Sequence, residues 1–115
     1  MPLLATTHML GDMAHHVFGV MAISYIFTGE MIATNLMLPF ILLISGILLT
    51  APGTPGGVAT LTRPFLSSSL LLPENVVETC FTLSLANDSS TTGTNVVGDS
   101  TILIALDAIH KKWFK

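Results

Sequence analysis

Asp88 and Asp99 are the side chains in this sequence with the most chemistry to offer. They lie eleven residues apart, and at about 100° per residue an α-helix brings them back to within about 20° of one another. Thr92 and Asn95 fall between them on that same face. A helix through this stretch presents one polar stripe three turns long, made of two carboxylates, a hydroxyl and an amide. Such oxygen donors suit a hard cation such as sodium and include no soft sulfur or imidazole. Asn95 and Asp99, one turn apart, can share an ion. Gly93 and Gly98 predict local unwinding that would free backbone carbonyls for the same purpose. The plainer alternative is a polar loop, because positions 87–95 hold hardly any apolar side chain.

The elements that position this stripe follow from composition. The chain has 115 residues, of which 50% are hydrophobic and only 10% charged, with a mean hydropathy of +0.74. Ordinary soluble domains carry about 25% charged residues, so the sequence predicts an all-α membrane protein of one domain with a few transmembrane helices. From Met31 to Thr62 no residue is charged, a run longer than the roughly 20 residues of a spanning helix. Ala51-Pro52-Gly53-Thr54-Pro55-Gly56-Gly57 interrupts it with two prolines and three glycines. Proline removes a backbone donor and clashes with the preceding turn, which predicts two half-helices joined by an unwound tip, a re-entrant hairpin over 31–73. Irregular backbone at membrane depth marks a binding site, because its polar groups must be satisfied by protein or by a water-filled cavity.

Before the hairpin, 1–30 reads as a helix, clearest from Met13 to Thr28; after the turn at Pro73, a last helix occupies 74–115, clearest from Val76 toward Lys112. The chain closes on His110-Lys111-Lys112-Trp113-Phe114-Lys115, with three of its four basic residues beside a tryptophan. The positive-inside tendency puts that end on the cytoplasmic side of a multi-pass protein of the cell (inner) membrane. The start lacks a charged n-region and a cleavage site, which predicts no signal peptide.

Other constellations carry less. His8 and His15 are seven residues apart and would share a helical face with His16 beside them, as metal or proton-relay ligands or simply as interior polar positions. Met9, Met13 and Met21 read as packing residues. Glu30 and Arg63 bound the uncharged run and read as snorkelling interface residues. The single cysteine, Cys80, excludes an internal disulfide and reads as a small buried hydrophobe. Ser67-Ser68-Ser69 has no nucleophile-elbow setting and no base, so no enzyme is expected. Four basic residues without an aromatic-interleaved patch exclude nucleic acid as a partner.

The order Gly53-Thr54-Pro55-Gly56-Gly57, followed about thirty residues later by Asp88-x-x-Thr91-Thr92-x-x-Asn95-Val96-x-Gly98-Asp99, resembles the dicarboxylate/amino acid:cation symporters, the glutamate and neutral amino acid transporter family. Met9-Leu10-Gly11-Asp12-Met13-Ala14 is similar, with changes at several positions, to that family's N-M-D-G-T-A segment, an unwound helix centre. The resemblance spans Thr7 to Lys112 and only the last part of the family. It implies a partial transport domain lacking the scaffold, with a helix-7-like segment, a second hairpin and a helix-8-like segment. By position it implies that Asp88 holds a substrate amino group and that Thr92 and Asn95 bind its carboxylate. Gly53, Thr54 and Pro55 close the site within a gate from Pro52 to Gly56. Asp99, Asn95, Asp12 and Thr7 would be sodium ligands, with protons as a possible alternative coupling ion and no other cofactor. Thr91 stands where acidic-substrate members carry arginine, and a hydroxyl cannot grip a side-chain carboxylate as a guanidinium does. The implied function is cation-coupled symport of a neutral amino acid or a small carboxylate, by a parent homotrimer in the bilayer that includes the missing segments. The rival is a non-transporting membrane remnant or a small interaction subunit.

Overall fold

The computed structural model describes residues 8–51 and 54–113. All its regular elements are helical: α1 (Leu10–Ala14), a π-helical turn (His15–Gly19), α2 (Val20–Thr28), α3 (Thr34–Thr50), α4 (Gly57–Leu70) and α5 (Glu74–Trp113). The first three form one rod, entered from Met9, whose carbonyl accepts the Met13 amide at 3.0 Å.

The uncharged run divides where its prolines and glycines fall. Helix α3 stops at Thr50, Ala51 turns into extended backbone, and α4 begins after Gly56 in the left-handed region (φ 70°). The Gly57 amide donates to the Thr54 carbonyl at 2.9 Å, closing the turn. Helix α4 ends at Leu71, also left-handed (φ 56°), ahead of Pro73.

The core sits where α3 meets the other elements. Met37, Phe40, Ile44 and Leu48 recur at helical spacing on one face of α3 and are buried, Phe40 and Ile44 completely. Packed with them are Leu66 and Leu70 of α4, Val76, Val77 and Cys80 of α5, and Val20 and Ile23 of α2. Met9, Met13 and Met21 lie against this cluster as partly buried filler.

Helix α5 is the surprise of the polar middle. It runs unbroken through Asn87–Asn95, and the unwinding expected at Gly93 and Gly98 does not occur. Serine and threonine hydroxyls bond back to the helix itself, Thr91 to the Asp88 carbonyl (3.0 Å), Thr94 to Ser90 (3.0 Å), Ser100 to Val96 (2.9 Å) and Thr101 to Val97 (2.9 Å). The polar side chains thus need no loop. Forty residues at about 1.5 Å each give about 60 Å, matching the long axis of a molecule 57 × 28 × 22 Å across. The radius of gyration, 16.2 Å, exceeds the roughly 13 Å of a compact chain this long, because the far end of α5 projects.

The membrane expectation is corrected here. Among the described residues no helix is long and apolar enough to cross a membrane, so neither transmembrane helices nor a multi-pass topology with a cytoplasmic end is supported. The interrupting tip limits α3 to 17 residues and α4 to 14, short of the roughly 20 needed. Helix α5 has the length but carries the polar stripe through its middle. The segment matched to an unwound helix centre is helical, and its irregularity is the π turn that follows.

Candidate functional site

The stripe on α5 faces two things, the start of α1 and the tip between α3 and α4. Together they enclose a cavity of about 270 Å³. Helix α5 contributes Asp88, Thr92, Asn95, Val96 and Asp99; Met9 and Asp12 come from the α1 side, and Thr54, Pro55 and Val58 from the tip and α4. Seven of the residues singled out in the sequence therefore border one space: Asp12, Thr54, Pro55, Asp88, Thr92, Asn95 and Asp99. Thr91 does not line it; its side chain is buried, with the hydroxyl turned to the Asp88 carbonyl. Thr7, Pro52 and Gly53 lie outside the described residues.

Asn95 fastens α1 to α5. Its Nδ2 donates to Asp12 Oδ2 at 2.6 Å, and its Oδ1 accepts the Gly11 amide at 2.8 Å. This contact requires glycine at position 11, because a Cβ there would stand 2.6 Å from the Thr91 carbonyl oxygen and 2.9 Å from Thr94 Cβ. Asp12 is buried, at 7% exposure, which makes its bond to Asn95 a stronger, charge-assisted one.

At the lower edge of the cavity His8 Nδ1 lies 3.2 Å from Asp99 Oδ1. Neither atom has another partner, and the pair lacks hydrogen-bond geometry. The imidazole ring occupies the space a side chain at Gly98 would fill. Asp88 differs from the other two acids. Its half-buried carboxylate faces the cavity, and no hydrogen bond or ion pair engages it among the described residues.

The other histidines go elsewhere. His8 precedes α1, so the shared face expected for His8 and His15 does not form. His15 Nε2 lies 3.1 Å from Ser84 Oγ, whose proton goes to the Cys80 carbonyl (2.8 Å), so the ring is the donor. Buried His16 bridges α4 to the rod. Its Nδ1 must donate to the Asp12 carbonyl (2.9 Å), and its Nε2 meets the Thr62 hydroxyl (3.0 Å). Burial holds both imidazoles below their ordinary pKa, against the opposing influence of Asp12. A neutral His16 therefore carries its proton on Nδ1 and offers Nε2 as an acceptor to the Thr62 hydroxyl, which also lies 3.2 Å from the Ala59 carbonyl.

Of the four residues expected to hold sodium, Asp12, Asn95 and Asp99 are among the described residues. Asn95 is engaged through both its oxygen and its nitrogen, and Asp99 Oδ1 faces an imidazole nitrogen. Among the described residues no three His, Cys, Asp or Glu side chains gather closely enough to hold a metal ion. Among the described residues no lysine or arginine lines the cavity. Arg63 instead pairs with Glu74 and Glu78 and lies 5.3 Å over the Phe81 ring.

The sequence reading named His8, Gly11 and Gly98 but not their observed roles, His8 beside Asp99 and the two glycines as points of close contact. The available signal was small residues on two segments that also carry complementary polar groups. The chain matches no family model, no curated protein and no solved structure.

Proposed function

We propose that this protein binds a small organic ammonium ion, amino acids being one class of candidate, in the cavity between α1, α5 and the Thr54–Pro55 tip. The unengaged Asp88 carboxylate carries the reading. It stands in a cavity walled also by Asp12 and Asp99, with no lysine or arginine among the described wall residues, a setting that attracts a protonated amine and repels a lone carboxylate. The Thr92 hydroxyl and the second Asn95 amide proton can orient the rest of the ligand, and the Pro55 ring and Val58 give it an apolar wall. The symporter resemblance independently assigns Asp88 to an amino group. Of that expected function only the binding step is kept, since transport calls for crossing helices. Calorimetric titration of the full chain with methylammonium, alanine and acetate tests the proposal. Methylammonium should bind and acetate should not, and Asp88→Asn should weaken amine binding about ten- to a hundredfold, the equivalent of one hydrogen bond to a charged group. Equal binding of acetate, or indifference to Asp88→Asn, would overturn it.

A second reading, an interaction subunit, is favoured by large apolar side chains on the outer faces, among them Ile26 (76% exposed), Leu42 (75%) and Trp113 (75%). Exposed apolar surface of this kind marks a protein interface where it forms a patch. Light scattering across a concentration series tests it, and a monomer at every concentration and with every co-purified fraction would argue against it.

A further inference from the structure

A second cleft adjoins the acidic cavity. It has a volume of about 280 Å³ and lies between the start of α1 and the last two turns of α3, bordered by Met9, Leu10, Met13, Leu48 and Leu49, with Ser45 and His8 as the only polar walls among the described residues. The Ser45 hydroxyl is turned back to the Ile41 carbonyl at 2.8 Å, which leaves the cleft a largely hydrocarbon lining.

Two residues join the spaces. Met9 borders both. His8 borders the cleft, and its Nδ1 reaches Asp99 of the cavity at 3.2 Å. A flexible, unbranched thioether and an imidazole thus stand where the two spaces adjoin. Methionine repacks readily around differently shaped neighbours. An apolar cavity of about 150 Å³ is already enough to take up benzene, so the cleft has room for a hydrocarbon chain.

We infer that the ligand is an amphiphilic amine, with its ammonium group on Asp88 in the acidic cavity and an apolar tail passing Met9 into the Leu10–Leu48–Leu49 cleft. This rests on the amine-binding reading and narrows it. Charge complementarity fixes the head, and adjacency through Met9 fixes the direction of the tail. An amino acid with a small side chain leaves the cleft unfilled. An alkylamine offers a head for one space and a tail for the other, and sets no carboxylate against three aspartates.

The test is calorimetric titration of the full chain with methyl-, butyl-, hexyl- and octylammonium at one ionic strength, with octanol as the uncharged control. Burying a methylene is worth about 0.8 kcal/mol, or about a fourfold tightening per carbon until the cleft is full. In a double variant, Leu10→Gln with Leu49→Gln, octylammonium should bind little better than methylammonium does to the same variant. Both positions are more than half exposed, so the fold tolerates the changes, and circular dichroism verifies this. Affinity independent of chain length, with Asp88-dependent binding intact, overturns the tail assignment and leaves the amine reading standing. Octanol binding as tightly as octylammonium also overturns it. Failure of every amine, methylammonium included, sinks both.

Discussion

Replacing Asn95 by alanine should cost about 2–4 kcal/mol of stability, although the residue belongs to no apolar core. The magnitude follows from what the amide holds. Its Oδ1 is the acceptor for the Gly11 amide at 2.8 Å, and its Nδ2 donates to Asp12 at 2.6 Å. Both partners are buried. Stranding a buried backbone N–H costs about 1–3 kcal/mol, and losing a hydrogen bond to a charged group about 1.5–3 kcal/mol. Water entering from the adjoining cavity recovers part of each. With a urea dependence of about 1–3 kcal/mol per molar for a small protein, the midpoint should fall by about 1–2 M in a denaturation curve followed by helical circular dichroism. Asn35→Ala on the exposed start of α3 should move it little. Asn95→Asp separates the two bonds. It keeps the acceptor for Gly11 but sets oxygen against Asp12 oxygen, so stability lost at neutral pH should partly return on acidification, once the pair shares a proton. An unchanged midpoint and slope for Asn95→Ala would refute the claim that this amide fastens α1 to α5.

Three further outcomes follow. Gly11→Ala and Gly93→Ala should act in opposite directions: the first drives a Cβ into the Thr91 carbonyl, whereas the second meets nothing within 4 Å and should gain about 0.5–1 kcal/mol of helix propensity, read as shifts in melting temperature. Because His16 folds with its pKa lowered from 6.5, the unfolded chain binds more protons below that pH. Stability should therefore be level above about 6.5 and fall on acidification, by at most about 1.4 kcal/mol per pH unit for this residue; half-exposed His15 adds a smaller effect of the same sign, and His16→Gln should flatten the slope. Burial pushes the Cys80 thiol up to about 11 from 9.0, so iodoacetamide at pH 8 should label the folded chain at least about a hundredfold more slowly than the urea-unfolded chain.

Helical phase made the stripe legible, because Asp88, Thr92, Asn95 and Asp99 keep their common face only if the helix is regular, and α5 is regular there. Proline and glycine likewise announced the tip, since few other conformations accept two prolines and three glycines in seven residues. The composition misled. A high apolar share and a long uncharged run suggested crossing helices, yet the prolines and glycines that end α3 and open the tip also shorten each piece below membrane length. The π turn had no sequence mark, for it is a shift in backbone hydrogen-bond register that leaves side-chain periodicity nearly intact. His8 was misplaced for a related reason: a seven-residue spacing implies a shared face only inside a helix, and α1 begins at Leu10.

The same phase continues past the site. Below Asp99 the 3/4 spacing runs on through Ile102, Leu106, Ile109 and Trp113, so one face of α5 changes from oxygen-bearing to hydrocarbon just beyond Asp99, whose neighbour Gly98 has His8 resting against it. Where α1 and the tip stand opposite, the face carries groups that must be matched, and Asn95 and Asp99 are met by Asp12, Gly11 and His8. Where nothing described stands opposite, the face is apolar and Leu106, Ile109 and Trp113 are each more than half exposed. A helix polar merely to stay hydrated would show the reverse, with its acids on the projecting end and its hydrocarbon inside. The placement of Asp88 and Asp99 in the enclosed part of α5 fits the binding role proposed above, and hydration alone does not account for it.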